Sequence, residues 1–108
     1  MSDSEVRVVL MTAPDADVAA RIARTLVEER LAACVNVVDG VRSFYRWQGE
    51  VEDDAEILLV AKTGASRCGE LAARVEALHP YELPEIVVLP VSGGSERYLR
   101  WVLSESSP

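Results

Sequence analysis

The side chains best suited to chemistry in this sequence lie together in residues 79–85, which read HPYELPE. They include His79, the only histidine of the chain, and two carboxylates, Glu82 and Glu85. The two prolines fix their own φ angles and push the residue before each of them out of the helical region, so the segment is a stiffened connection. An imidazole beside carboxylates suits Cu(II), Zn(II) or Ni(II) better than calcium. Residues 79–85 are therefore a candidate metal site.

Each of these side chains also has a purely structural interpretation. A histidine before a proline often caps the C-terminal end of the preceding helix, where an imidazolium ion is favoured by the helix dipole. Glu82 and Glu85 are also ordinary surface residues near the start of a strand. The residue types alone leave both interpretations open.

A second group of charges lies in residues 50–56, which read EVEDDAE. At a spacing of two residues, four of these acids line one face of a strand. A two-residue turn at Gln48-Gly49 sets them opposite Tyr45 and Trp47 of the preceding strand. Such a row of carboxylates attracts cations, and the alternative is a solvated strand edge whose charges discourage pairing with other chains. Lys62, which follows an apolar stretch, either holds an anion or is simply solvated.

The elements that must position these residues follow the order β-α-β-β-α-β, with a short helix at the end. The sequence predicts strands over residues 6–11, 32–47, 50–61 and 86–89 and helices over residues 15–30, 68–78 and 96–103. A bend or bulge is expected at Asp39-Gly40. This order indicates an α+β fold of the ferredoxin-like type. Right-handed crossovers then place the helices on one face of an antiparallel sheet.

The predicted hairpin is long for a chain of this size. Its first strand, residues 32–47, spans roughly 50 Å at about 3.3 Å per residue, whereas a domain of this length has a radius of gyration of about 13 Å. The aromatic residues near its tip, Phe44, Tyr45 and Trp47, would be a liability on an unpartnered ribbon. The length therefore favours an oligomer, and the alternative is a hairpin that curls back at Gly40 and buries its aromatic residues within the chain.

Composition bounds the remaining possibilities. The length of 108 residues predicts one domain, residues 1–108, and we expect residues 1–4 to be disordered. The net charge of -7 disfavours nucleic-acid partners and favours cations. No stretch approaches the roughly 20 apolar residues of a membrane span, and the first residues resemble no export signal, so we expect a cytoplasmic protein without a membrane partner. Cys34 and Cys68 are predicted to be reduced core thiols.

Six motifs occur in a recognisable order along the chain. They are VLMTAPD at residues 9–15, LAACVN at 31–36, YRWQG at 45–49, KT at 62–63, HPYELPE at 79–85 and YLRW at 98–101. In this order they make the sequence resemble the CutA divalent-cation tolerance family over nearly its whole length. The resemblance implies a non-enzymatic, cytoplasmic homotrimer of ferredoxin-like subunits, assembled like the PII signalling proteins, with long hairpins that wrap neighbouring subunits.

The resemblance also implies that the protein binds copper or another divalent ion, with no organic cofactor. By position, His79 and Glu85 match the histidine and glutamate of the family's HPY-x-x-PE signature. We therefore expect His79 to donate nitrogen and Glu85 or Glu82 to donate oxygen to the metal. Met11 stands where some members carry a cysteine implicated in metal binding, and a thioether suits Cu(I) better than Zn(II) or Cu(II).

A cleft between subunits is a further implication of the resemblance. Its lining is expected to include Tyr45, Trp47, Lys62 and Tyr81 together with Glu82. An alternative function is therefore a PII-like sensor that binds a small anionic metabolite in this cleft, with Lys62 as the charge partner.

A third hypothesis, an acylphosphatase-type enzyme, rests on the shared fold alone. That chemistry needs an anion-cradling loop after the first strand. Residues 12–15 instead supply a proline, which has no N–H, and an acid. The sequence therefore disfavours this enzyme.

Overall fold

The computed structural model of the chain describes residues 4–108. Its strands are β1 (Val6–Ala13), β2 (Cys34–Trp47), β3 (Glu50–Gly64) and β4 (Ile86–Pro90). Its α-helices are α1 (Ala16–Glu28), α2 (Cys68–Leu78) and α3 (Glu96–Glu105), and a single 3-10 turn, Ala65–Arg67, precedes α2. None of these helices is long and apolar enough to cross a bilayer.

The four strands form one antiparallel sheet in the order β2-β3-β1-β4. This order, with the two crossover helices, confirms the predicted ferredoxin-like α+β fold. The predicted boundaries differ at a few ends. The first helix stops at Glu28 rather than near Arg30, because Arg30 adopts a φ of 59°. Asp15 caps the start of α1 by accepting a hydrogen bond from the Val18 amide at 2.9 Å.

The main hydrophobic core lies between one face of the sheet and helices α1 and α2. Ile22 and Leu26 of α1 and Leu71 and Val75 of α2 are almost fully buried there. Met11 belongs to the same core and is 1% exposed. The thioether that replaces a possible cysteine ligand is therefore a packing group in this chain.

The opposite face of the sheet is apolar and only partly covered within one chain. Its aliphatic residues, which alternate with the core positions along each strand, are Val8, Leu10, Val38, Leu58, Val60, Val87 and Leu89, and the polar Thr12, Asn36 and Lys62 lie on the same face. All seven are half-buried or exposed, with Val87 45% exposed. We call these seven residues the open sheet face.

The hairpin formed by β2 and β3 has the predicted register. Tyr45 pairs with Glu52 and Trp47 with Glu50, and the pairing shifts between Val38 and Val41, where the bulge was expected. Phe44, Tyr45 and Trp47 remain 64%, 40% and 37% exposed. The hairpin therefore does not bury its aromatic residues within the chain.

The amino-terminal end joins the structure through Ser4. Its amide and its hydroxyl both donate to the carbonyl of Val91, at 2.9 and 2.7 Å. Of residues 1–4, for which disorder was predicted, residues 1–3 lie outside the described residues.

Candidate functional site

A cavity of about 810 Å³ lies between the hairpin and the loop that follows α2. Its wall consists of Thr12 from β1, residues 43–47 from β2, Glu56 from β3 and residues 80–85. The sequence-predicted residues Tyr45, Trp47, Tyr81, Glu82 and Glu85 are all brought together here. We call this space the hairpin cavity.

The loop from residue 79 to residue 85 is positioned by the end of α2. Pro80 prevents the helix from continuing, and His79 leaves it in an extended conformation, with φ of -81° and ψ of 137°. The His79 amide still donates to the Val75 carbonyl at 2.9 Å. The extended backbone at His79 therefore directs the imidazole toward the sheet, where it contacts Thr12 of β1.

Both ring nitrogens of His79 are engaged inside the protein. Nε2 donates to the carbonyl of Thr12 at 2.7 Å, and Nδ1 accepts from the amide of Tyr81 at 3.1 Å. The side chain is 8% exposed and tilts against the Tyr81 ring at 4.6 Å between centroids. Nε2 carries the proton that it donates, and the lone pair of Nδ1 accepts the hydrogen bond from Tyr81. Metal ligation by His79 therefore requires one of these hydrogen bonds to break. Its role as a ligand stays a prediction.

Glu56 is the most buried carboxylate of the cavity wall. It is 8% exposed, and its Oε2 accepts a hydrogen bond from the Tyr81 hydroxyl at 3.0 Å. Sequence reasoning placed Glu56 in the acidic row but not among the site residues. The available signal was its position as the last acid before the apolar half of β3, where the strand enters the sheet.

Two tyrosines of the wall donate to carboxylates. Burial, followed by the hydrogen bond and charge of Glu56, raises the pKa of Tyr81 to about 12. The hydrogen bond from Tyr45 to Asp54, at 2.5 Å, is the main cause that raises the pKa of Tyr45 to about 12 as well. Both hydroxyls therefore remain neutral donors at physiological pH, and they face the negative charge of the hairpin.

Glu82 and Glu85 are exposed at the outer rim of the cavity. They precede and follow Leu83 and Pro84, and Leu83 is itself 70% exposed. Their carboxylates are accessible to cations. Within residues 4–108, however, no three His, Cys, Asp or Glu side chains are grouped closely enough to enclose a metal ion.

Lys62 is the one sequence-predicted cleft residue that does not line the cavity of a single chain. It pairs with Cys34 across β2 and β3, and its ammonium group donates to the Asn36 side chain. The charged residues of the cavity wall are Glu56, Glu82, Glu85 and Arg46. Since acids outnumber bases, the wall does not favour an anionic metabolite.

Neither cysteine lies in this wall. Cys68 is half-buried at the start of α2, where burial raises the pKa of its thiol, and its Sγ lies 3.7 Å from the Gly64 carbonyl. Cys34 is on β2 beside Asn36, with 4.0 Å between Sγ and Oδ1. Both are free thiols.

Fold and site together define a ferredoxin-like protein with an acidic, aromatic cavity beside a long hairpin. The sequence profile of the family described as CutA1 divalent ion tolerance protein matches residues 7–105. The chain belongs to this family, as its motifs predicted.

Named relatives support this assignment. The Divalent-cation tolerance protein CutA of Thermus thermophilus is 57% identical over 95 residues, which cover 88% of this chain and 92% of that protein. The chloroplastic Protein CutA of Arabidopsis thaliana is 44% identical, and the match covers 88% of this chain. The chain spans about half of the length of that plant protein, 52%.

Solved structures agree with the fold. The divalent cation tolerance protein of Thermus thermophilus has a TM-score of 0.92 at 53% identity, covering 94% of this chain and 99% of that one. CutA from Xylella fastidiosa has a TM-score of 0.94 at 45% identity, covering 96% and 100%. The likeness extends over nearly the entire chain.

Proposed function

We propose that this divalent-cation tolerance protein is a non-enzymatic homotrimer with a PII-like assembly, which binds copper or other divalent ions weakly at clefts between subunits. The observation that carries the proposal is the open sheet face. Its seven aliphatic residues are half-buried or exposed and the hairpin aromatics are exposed, and an extended apolar surface of this kind marks a site of interaction with another protein. Copies of the same chain are the partner that the family relationship favours.

The edges of the sheet add a second argument for assembly. β2 and β4 are edge strands, and β2 is 14 residues long. A long edge strand with unpaired N–H and C=O groups pairs readily with another chain. A neighbouring subunit at these edges would protect the backbone and close the hairpin cavity into a cleft.

The proposed cation ligands are the accessible carboxylates, Glu82 and Glu85. His79 joins them only when its ring gives up the bond to Thr12 or the bond from Tyr81, which costs free energy. One or two carboxylates with water make a weak site for a divalent ion. A tighter site would need ligands from a second subunit.

The assembly is tested by light scattering coupled to size exclusion. We expect a trimer for the wild type, and a threefold lower mass for Val60→Glu, which puts a charge on the open sheet face without entering the core. Val27→Glu is the matched control, since Val27 is 43% exposed on helix α1. A monomeric wild type at micromolar concentration would contradict the proposal.

The ligands are tested by calorimetric titration with Cu(II) and Zn(II). We expect Glu82→Gln combined with Glu85→Gln to weaken binding at least tenfold, while the control Glu76→Gln, on the exposed side of α2, changes nothing. Equal affinity in the double variant and the wild type would remove the carboxylates from the site. If His79→Ala binds as tightly as the wild type, the imidazole is not a ligand.

The cellular compartment is part of the same proposal. Two free thiols, Cys34 and Cys68, on separate elements are consistent with a reducing environment. We infer a cytoplasmic location. Labelling of both thiols in protein extracted with an alkylating agent present is the expected result.

A further inference from the structure

The wall of the hairpin cavity is unusually aromatic for this chain. Of the chain's six aromatic residues, four line this one space, namely Phe44, Tyr45, Trp47 and Tyr81. The volume of about 810 Å³ falls within the range of small-molecule sites, roughly 300–1,000 Å³. The cavity therefore has the size and the apolar surface to hold an organic ligand.

The buried charge of the cavity is negative. Glu56 is 8% exposed, and among the described residues only the Tyr81 hydroxyl donates to its side chain, at Oε2. Its second oxygen, Oε1, receives no hydrogen bond from residues 4–108. Since no buried side-chain oxygen among the described residues lacks a hydrogen-bond partner, Oε1 faces the open space of the cavity and is free to accept a hydrogen bond or to pair with a positive charge. The cavity supplies the space for such a partner.

The other charged groups near the cavity leave its wall negatively charged. Asp54 stands behind Tyr45, and Glu82 and Glu85 lie at the rim. The basic residue of the wall, Arg46, and Phe44 both alternate along β2 to the strand face opposite that of Tyr45 and Trp47. A ligand between Tyr45, Tyr81 and Glu56 therefore meets acceptors and aromatic surface, and Trp47 lies farther along the hairpin, opposite Glu50.

Aromatic rings around a carboxylate recognise one class of ligand in particular. The negative faces of Trp and Tyr attract an ammonium group within about 6 Å, and substituted ammonium ions suit such aromatic cages because their alkyl groups also gain apolar contact. A metal ion cannot use these rings, since it needs oxygen, nitrogen or sulfur ligands at about 2.0–2.6 Å. The wall fits an organic cation better than a bare metal.

We propose that the hairpin cavity binds a small organic ammonium ion, with Glu56 as its countercharge, Tyr45 and Tyr81 as its aromatic wall, and Trp47 at the outer end of the cavity as a reporter of binding. This site rests on the proposed function, because the trimer would close the same cavity into a cleft between subunits. It differs from the cation site at the rim in its ligand chemistry and in its residues.

The test compares choline with 3,3-dimethylbutan-1-ol, a neutral molecule of the same shape. Binding is followed by the fluorescence of Trp47 in a Trp101→Phe background, since Trp101 lies on α3 outside the cavity. We expect saturable binding of choline and at least tenfold weaker binding of the neutral alcohol. Equal affinities would show that the site recognises shape alone and would overturn the proposal, as would the absence of choline binding.

A variant pair then assigns the countercharge. Glu56→Gln keeps the shape of the side chain and is expected to weaken choline at least tenfold without changing the affinity for the alcohol. Glu50→Gln is the matched control, because Glu50 lies on the same strand but outside the wall. Unchanged choline affinity in folded Glu56→Gln would overturn the assignment, and the wild-type comparison remains decisive if this variant does not fold.

The two proposals fail in distinguishable ways. Light scattering and metal titration on the same samples report the trimer and the rim site, whereas the choline comparison reports the inner wall. A monomer that still prefers choline to the alcohol would refute the assembly and keep the ammonium site. A metal-binding trimer that does not bind choline would refute the ammonium site and support the assembly and the cation site at the rim.

Discussion

His79 acts in this structure as a connector between the loop and the sheet. Its Nε2 bonds to Thr12 on β1, and its Nδ1 receives the amide of Tyr81, so the ring fixes the path of the loop. Tyr81 in turn reaches Glu56 on β3 through its hydroxyl. This chain of contacts gives the histidine of the family motif a positioning role even where no metal is bound.

The tyrosines of the cavity give a prediction at the same scale. Because the folded pKa of Tyr45 and of Tyr81 is about 12 against an ordinary value of 10.0, the folded protein retains protons that the unfolded chain loses. Their stabilising contribution is complete below pH 10 and is lost as the pH rises toward 12. We expect the melting temperature to fall across this window.

The measurement is an absorbance titration near 295 nm, where tyrosinate absorbs, combined with melting curves. Glu56→Gln should lower the pKa of Tyr81 relative to the wild type, since it removes the charge that opposes tyrosinate formation. Glu50→Gln serves as the control. A pKa of 10.0 for Tyr45 and Tyr81 in the folded protein would contradict the observed hydrogen bonds.

At the scale of elements, the tip of the hairpin is a two-residue turn with positive φ at both positions. Gln48 has a φ of 50° and Gly49 a φ of 84°, as in a type I′ turn. Glycine accepts this conformation freely, whereas glutamine does not. Gln48 is therefore a position where the native residue costs some stability.

Substitutions at Gln48 test this cost. We expect Gln48→Asn to raise the free energy of unfolding by about 0.5 kcal/mol, because asparagine tolerates the left-handed region, and Gln48→Val to lower it by about 1–2 kcal/mol. The side chain is exposed, so few contacts are lost in either variant. Urea unfolding at equal protein concentration gives the values, and a more stable valine variant would refute the explanation.

The sequence predicts those elements whose signals are local. The hairpin register followed from the turn at Gln48-Gly49 and the alternation of side chains, and the bulge from Asp39-Gly40. Pro80 set the end of α2. Each of these features depends on residues within a few positions, so no tertiary information was needed.

The site could be predicted only in part, because its decisive contacts join distant positions. Thr12 and His79 are 67 positions apart, and Glu56 and Tyr81 are 25 apart. No local pattern reveals that both histidine nitrogens find partners, or that Lys62 turns to Asn36 instead of the cavity. Residue types indicated the site, but the pairings depend on how the loop packs on the sheet.

At the scale of the whole molecule, charge and assembly oppose each other. The chain carries a net charge of -7, and much of the acid lies on the hairpin that would approach neighbouring subunits. Like charges held close together destabilise a compact assembly. Burial of the open sheet face has to outweigh this repulsion if the trimer forms.

The effect of salt on the melting temperature distinguishes the repulsion among the acids from the stabilisation by ion pairs. Exposed ion pairs such as Arg42 with Asp53 at 2.8 Å and Arg74 with Glu29 at 2.9 Å lose strength in salt, but each such pair contributes only about 0–1 kcal/mol. Screening also relieves the repulsion among all uncompensated acids. We therefore expect the melting temperature at pH 7 to rise when KCl increases from about 20 mM to about 500 mM, as the Debye length falls from roughly 20 Å to about 4 Å.

A second pH provides the control for this prediction. Near the isoelectric point of about 4.6, the net charge that salt screens is gone. The same KCl series there should leave the melting temperature unchanged or lower it slightly, because weakened ion pairs are then the main effect. A melting temperature that falls with KCl at pH 7 would mean that paired charges stabilise the protein more than the uncompensated acids destabilise it, and the acidic hairpin would then not oppose assembly.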